Sequence, residues 1–380
     1  MRRRTGYVLI LSMVSLLVIG IVMLSSTGAF ASDSRGDMSY FIKRQSLWLV
    51  IGGAALVGAA FVDYRLWARY WPWIYGLAVV LLILCFVPPI GMKVNGAWRW
   101  INLGFASFQP SELGKVAVLF FLAWWYQRHE EEASEFWRGF ALPLAIAGAI
   151  MALIVIEVDL GATALIGLTT LAVMFVAGAG LRWLLPLLGA GLAGLVFAVS
   201  QMPERMGRIF AFLDPEKHKL AEGLQQWQAM LAFGAGGVEG LGLGSGRQKM
   251  LYLPYAHTDF IFPMIGEELG LRFTLLIVFC FLLLLLSGVL IAMNSRDRFG
   301  MLLGFGITFI ITLQAAINIG VTTSLLPNKG MPLPFISYGG SNLAVTMALV
   351  GVLLNIHRQG RREPKRRSRA VPATSLAVRF

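Results

Sequence analysis

Ten stretches of mostly apolar residues recur along this chain, each close to the roughly 20 residues that carry a helix across a bilayer. They begin near Val8, Ser46, Trp73, Ser111, Phe140, Ala162, Trp183, Phe262, Phe299 and Asn342. Lipid offers a backbone no water to bond, so a span must close its hydrogen bonds within itself, as a helix does. Nothing alternates with barrel periodicity, and sheets are not expected. Composition agrees: 57% of the 380 residues are hydrophobic and 14% charged, against about 25% charged in soluble domains. The expected fold is all-α. It is a polytopic membrane protein of about ten transmembrane helices, one membrane domain over residues 1–380. Residues 201–261 form its one long extracytoplasmic loop and residues 357–380 a basic tail.

The formal net charge is +12, and much of it sits in that tail, which reads HRQGRREPKRRSR from His357. Beside a span, such a tail marks the cytoplasmic side and attracts anionic membrane lipid; no nucleic-acid partner is expected. With both termini inside, the cytoplasmic segments hold more than half of the 32 Lys and Arg. The long loop counts little, because long loops obey the charge rule weakly. The start, MRRR followed by an apolar run and Ala29-Phe30-Ala31, has the outline of a cleavable signal. The run from Val8 to Leu24 is long for one, and an uncleaved first span is expected. Cys85 and Cys280 lie in apolar runs and give neither a disulfide framework nor metal-ligand spacing.

Polar residues within membrane segments are costly and tend to mark function. Residues 94–115 read VNGAWRWINLGFASFQPSELGK. Pro110 suits the first turn of a helix, where its missing N–H costs nothing. Glu112 then sits where a negative charge suits the helix dipole, and Lys115 at i+3 shares its face. A structural ion pair and direct substrate contact are both open. Trp98 and Trp100 suit an interface, and Arg99 between them suits a phosphate. In IEVDLGATA, residues 156–164, Asp159 reads as a helix cap between two short spans.

Residues 223–250, GLQQWQAMLAFGAGGVEGLGLGSGRQKM, are glycine-rich. They lack the Gly-Lys-Ser/Thr ending of a nucleotide loop and follow no expected strand. Their glycines are expected to serve close packing or re-entry. Arg247 and Lys249 suit an anionic head group. Residues 252–270, YLPYAHTDFIFPMIGEELG, set His257, Asp259, Glu267 and Glu268 among apolar neighbours. Gln314, Asn318 and Thr322 recur at i+4, a polar stripe that must face the bundle interior as helix–helix glue or cavity wall. The stripe leads into PNKGMPLPFISYGGSN, residues 327–342, with Lys329, Ser337 and Tyr338.

The motifs VNGAWRWI, FQPSELGK, YLPYAHTDFIFPMIGEELG and NKGMPLPFISYGGS, in this order between residues 94 and 342, resemble the SEDS family, whose members include FtsW, RodA and SpoVE. The PFISYGGS and GEELG segments look more like FtsW and SpoVE than RodA. The resemblance implies a ten-span protein of the bacterial inner membrane that polymerises lipid II into peptidoglycan. It implies a class B penicillin-binding protein as transpeptidase partner. It also implies that Asp259 is catalytic. The sequence departs from the family at three places. Tyr255 stands where the family usually has Glu, Val158 where it has Pro, and Leu224 where it has the Tyr before Gln225.

Extending a glycan on lipid II needs a base near the acceptor's sugar 4-hydroxyl and positive charge near the leaving pyrophosphate. Asp259 is the base candidate, its pKa raised by apolar neighbours toward useful basicity. Arg99, Arg247, Lys249 and Lys329 are the pyrophosphate candidates. Glu112, Lys115, Gln225, His257 and Ser337 complete the expected substrate-binding set. Asp159, Glu267, Glu268 and Asn318 are expected to be supporting, with the two glutamates as interior partners of Lys115. The chemistry needs no nucleotide and no cofactor is assigned; a divalent cation, Mg or Mn, bridging a carboxylate and the pyrophosphate is compatible with it, with its ligands unknown. A lipid II flippase is the alternative function, and a scaffold that only recruits the transpeptidase is a second.

Overall fold

The computed structural model describes residues 2–28, 40–88, 90–94, 96–104, 106–214, 216–219, 221–250, 253 and 256–360. The first three helices are α1 (Arg2–Gly28), α2 (Tyr40–Phe61) and α3 (Tyr64–Leu84). Strands β1 (Gly91–Val94), β2 (Ala97–Asn102) and β3 (Ser107–Phe108) precede α4 (Pro110–Arg128). A π-helical turn, Trp137–Ala141, leads into α5 (Leu142–Ile156). Then come α6 (Leu160–Val176), α7 (Leu181–Ser200), α8 (Pro203–Leu213) and α9 (Leu224–Gly236). The chain closes with α10 (Ile261–Met293), α11 (Arg298–Thr322) and α12 (Gly340–Gly360).

Among the described residues, eight helices are long and apolar enough to cross a membrane: α1, α2, α3, the Trp137–Ile156 helix, α7, α10, α11 and α12. The other two expected spans are present as helices of a different character. α6 has 17 residues. α4 carries Glu112, Lys115 and Arg128 and is buried on nearly every side. It packs against α3, α5, α6, α11 and α12, so it lies among helices rather than against lipid. Helices at the periphery do the reverse. On α10, Leu275, Phe279, Leu282 and Leu286 are exposed, an apolar surface suited to acyl chains rather than water. The chain is a multi-pass membrane protein.

One expectation needs correction. A sheet does exist: β1, β2 and β3 pair antiparallel in that order, with Met92 opposite Trp100 and Ile101 opposite Phe108. It lies between spans, where the rule that lipid-exposed backbone must be helical does not apply. Asn95-Gly96 was a legible signal for it, since this dipeptide favours the two-residue hairpin turn. Gly96 adopts φ +78°. The long 201–261 segment contains the helices α8 and α9.

The α10 helix breaks at Gly270, whose φ of 77° and ψ of −174° suit glycine alone. The break leaves carbonyls without helical partners, and the glycine-rich segment after α9 satisfies them. Leu241 N–H donates to Glu267 O and Gly242 N–H to Glu268 O, each at 2.9 Å. Close packing, one of the two roles expected of these glycines, is met at Gly236 and Gly240, where a Cβ would run into the backbone of Gly266 and Glu268.

Candidate active site

Asp259 sits in the turn that precedes α10 and is half-buried. Its main chain is fixed from α11, where Asn318 Nδ2 donates to Asp259 O at 2.8 Å and to Met331 O at 2.6 Å. One turn earlier, Gln314 Nε2 donates to Pro332 O at 2.9 Å. The polar stripe on α11 thus holds two loops in place. Ser337 belongs to the same framework: its hydroxyl donates to Thr258 O at 2.6 Å and accepts from Leu333 N–H at 2.8 Å. His257 packs on Phe41, ring centroids 4.3 Å apart, and its carbonyl accepts from Tyr338 N–H.

Behind these loops lies a buried polar quartet. Glu112 pairs with Lys115 at 2.7 Å, as the i+3 spacing predicts. Asn342 Nδ2 donates to both Glu112 oxygens, at 3.1 and 3.2 Å, and Lys115 Nζ donates to Gln314 Oε1 at 3.1 Å. The four residues join α4, α11 and α12. Pairing and further hydrogen bonds are what allow such charges to be buried. Of the two open readings, the geometry gives Glu112 and Lys115 a structural ion pair.

Asp159 caps α6, accepting from Ala162 N–H at 3.3 Å, and Gln109 Nε2 donates to its other oxygen at 3.2 Å. Lys329 Nζ lies 3.5 Å from Asp159 Oδ1. A Cβ at Gly330 would overlap Asp259 Oδ2, so the Lys329–Gly330 segment runs past both aspartates. Arg99 does not point to an open anion site. Its guanidinium donates to Val158 O at 2.7 Å and Glu157 O at 3.3 Å, clamping the turn between α5 and α6.

A second buried cluster replaces the expected pairing of Glu267 and Glu268 with Lys115. Lys249 Nζ pairs with Glu268 at 2.6 Å, with both side chains 1% exposed. Ser26 from α1 and Gly244 N–H also donate to Glu268. Glu267 accepts from the N–H groups of Arg247 and Gln248. Lys115 is already taken by Glu112, and the Glu267 and Glu268 carboxylates meet the returning loop instead. Lys249 is therefore a structural partner, correcting the pyrophosphate expectation. Gln225 likewise accepts from Asn328 Nδ2 at 2.7 Å, which ties α9 to the Lys329 loop. Among the four basic candidates, Arg247 is the one whose side chain is exposed. Tyr255 lies outside the described residues, as do residues 29–39 and the tail from 361 on.

Sequence reasoning overlooked Gln109, Asn342 and Glu157. Glu157 follows α5 and is fully buried, and among the described residues neither carboxylate oxygen forms a hydrogen bond, although the Cys85 thiol is a near neighbour. Burial pushes its carboxyl up to about 8, and the charge of Asp159 adds to the shift. An acid two residues before another at a turn was a legible signal. At Asp259, burial pushes the carboxyl up to about 6; Lys329 pulls it down and Asp159 pushes it up. Such a group is ionised at neutral pH and basic enough to accept a proton. Among the described residues, no group of three or more His, Cys, Asp or Glu side chains could hold a metal ion.

The comparisons with known proteins agree with this architecture. The FtsW/RodA/SpoVE family pattern, described as a cell cycle protein, matches residues 7–362. A probable peptidoglycan glycosyltransferase FtsW of Geobacter metallireducens is 41% identical, covering 93% of this chain and 94% of its own. The stage V sporulation protein E of Bacillus subtilis is 40% identical, covering 91% and 95%. A solved chain from work titled structural coordination of polymerization and crosslinking by a peptidoglycan synthase complex aligns with a TM-score of 0.76 at 27% identity, covering 93% and 98%. The rod shape determining protein RodA of Thermus thermophilus aligns at 0.68 and 26% identity, covering 93% and 97%. The match of nearly the whole chain to one pattern, together with relatives near 40% identity, places this protein in the FtsW/RodA/SpoVE family.

Proposed function

We propose that the chain is a peptidoglycan glycosyltransferase that polymerises lipid II, with Asp259 as its general base. The observation that carries this reading is the Asp259 carboxyl itself: partly accessible, raised to about 6, and anchored by its main chain to α11 just outside a span. The relatives named as FtsW support a role in division.

The reaction is one displacement. Asp259 takes the proton of the acceptor's sugar 4-hydroxyl as that oxygen bonds to the donor's anomeric carbon. The bond from that carbon to the pyrophosphate oxygen breaks, and its electron pair leaves with the pyrophosphate lipid. The α linkage becomes β. No covalent enzyme intermediate is needed. Arg247, exposed and able to bind phosphate in bidentate fashion, suits the leaving group.

The chemistry is extracytoplasmic in this reading, at the outer edge of the inner membrane, with both termini cytoplasmic. A class B penicillin-binding protein crosslinks the strands. The peptidoglycan synthase complex among the structural neighbours supports a partner of that kind.

The test is Asp259→Asn with lipid II as sole substrate and the partner present. General-base catalysis contributes roughly 10²–10⁴ in rate, so polymer formation should fall at least 100-fold while lipid II binding persists. Near-normal polymer from the variant would remove Asp259 from the mechanism. A folded wild type that makes no polymer but moves lipid II across liposomes would favour the flippase.

A further inference from the structure

Lys329 and Asp159 stand where their charges act on Asp259, and the backbone between α5 and α6 is built to keep them there. The Lys329 stem crosses the first turn of α6 at Gly161, where a Cβ would run into its Cε. That path brings Nζ to 3.5 Å from Asp159. The next residue, Gly330, abuts the Asp259 carboxylate. Two adjacent residues of one loop therefore touch both acids.

The Asp159 side of this arrangement is held under strain. Val158 adopts φ 65°, a left-handed conformation that is an outlier for a β-branched residue. Such a backbone persists where its surroundings over-determine it. Here Arg99 grips the carbonyls of Glu157 and Val158 on one side. Asp159 caps α6 and binds Gln109 on the other. An ordinary cap needs neither the clamp nor the strained valine.

We infer that Lys329 and Asp159 are positioning residues that set the proton affinity of the Asp259 base, Lys329 lowering it and Asp159 raising it, with the Lys329 stem held by its crossing over Gly161. The inference rests on the proposed glycosyltransferase reading and deepens it. It moves Lys329 from a pyrophosphate ligand to a partner of the base.

The other charged groups around Asp259 are otherwise occupied. Arg99 on β2 binds backbone carbonyls, and Glu157 at the end of α5 lies buried beside Cys85. Glu112 and Lys115 on α4 neutralise each other. Asn318 and Gln314 on α11 carry no charge, and His257 on the same turn packs on Phe41. The two effects have opposite signs. A cation beside a carboxylate favours its ionised form and an anion disfavours it. Removing Lys329's charge must raise the Asp259 pKa, and removing Asp159's must lower it.

The experiment uses the full-length protein with its partner and lipid II. It compares wild type with Lys329→Met, Lys329→Arg and Asp159→Asn. The acid limb of kcat/KM should lie near pH 6 in wild type. It should rise by roughly one pH unit in Lys329→Met and fall in Asp159→Asn, while Lys329→Arg stays near wild type. An unmoved limb with a raised KM in Lys329→Met would overturn the inference and return Lys329 to the pyrophosphate. The Asp259 carboxyl stretch, identified in infrared difference spectra against Asp259→Asn, gives a second readout that needs no turnover. Its midpoint should move in the same two directions, and a fixed midpoint overturns the inference even in inactive variants. A wild type without polymerase activity would instead overturn the glycosyltransferase reading, with the infrared titration still deciding this one.

Discussion

Asn318 holds the carbonyl of Asp259 at 2.8 Å through the same Nδ2 that binds Met331 O at 2.6 Å. One buried amide on α11 thereby sets the spacing between the turn that carries Asp259 and the loop that carries Lys329. Asn318→Leu removes the donor and leaves two carbonyls short of a partner. An unsatisfied buried polar group costs about 1–3 kcal/mol. The variant should melt at lower temperature in detergent and lose polymerase activity by more than the stability loss explains. Unchanged activity would mean that the Asp259 turn is held by other contacts.

The Lys249–Glu268 pair makes a different prediction. Breaking a buried pair by removing one partner typically costs about 3–5 kcal/mol, whereas replacing both is often near neutral. Lys249→Met should destabilise the protein strongly, because Glu268 would stay buried without its cation, keeping Ser26 and the Gly244 N–H as hydrogen-bond donors. Lys249→Met combined with Glu268→Gln should recover much of that loss. Thermal unfolding of the four proteins of this double-mutant cycle measures the coupling. Additive losses would show that the two charges do not depend on each other.

The contrast between these sites shows what the sequence makes legible. Long apolar stretches announce the helices, because the bilayer leaves the backbone little other choice. The Glu112–Lys115 pair is readable because i+3 places both on one helix face. The Lys249–Glu268 pair is not, since a helix break at Gly270 and a folded-back glycine-rich segment bring it together. Asn342 reaches Glu112 from a helix 230 positions away, which no local pattern encodes. Arg99 was legible as a functional basic residue but not as a clamp, because its acceptors are backbone carbonyls that carry no sequence signature.

Orientation gives a direct labelling test. In the proposed orientation the α8–α9 connection lies outside and the α10–α11 turn inside. Cys introduced at Glu216 should react with a membrane-impermeant maleimide in intact cells, and Cys at Arg296 should react only after permeabilisation. Native Cys85 and Cys280 are buried and should give little background. The reverse pattern would place Asp259 on the cytoplasmic side and defeat the proposed chemistry.

Glu157 should make stability depend on pH in a defined direction. Its folded carboxyl lies near 8, mainly through burial, against 4.5 for an ordinary glutamate. Between those values the folded chain keeps a proton that the unfolded chain has released. Folding stability must then fall as pH rises through the window, and the fall ends once both states are ionised above about 8. Each pH unit inside the window is worth up to about 1.4 kcal/mol. Glu157→Gln keeps the shape and carries no titrating proton, so its stability should not share this decline. Whatever the variant costs at pH 5, it should gain at least about 1 kcal/mol relative to wild type on moving to pH 8. Unfolding midpoints in detergent at the two pH values measure the difference. Parallel curves for the two proteins would show that Glu157 is ionised in the folded chain and has found a partner for its charge.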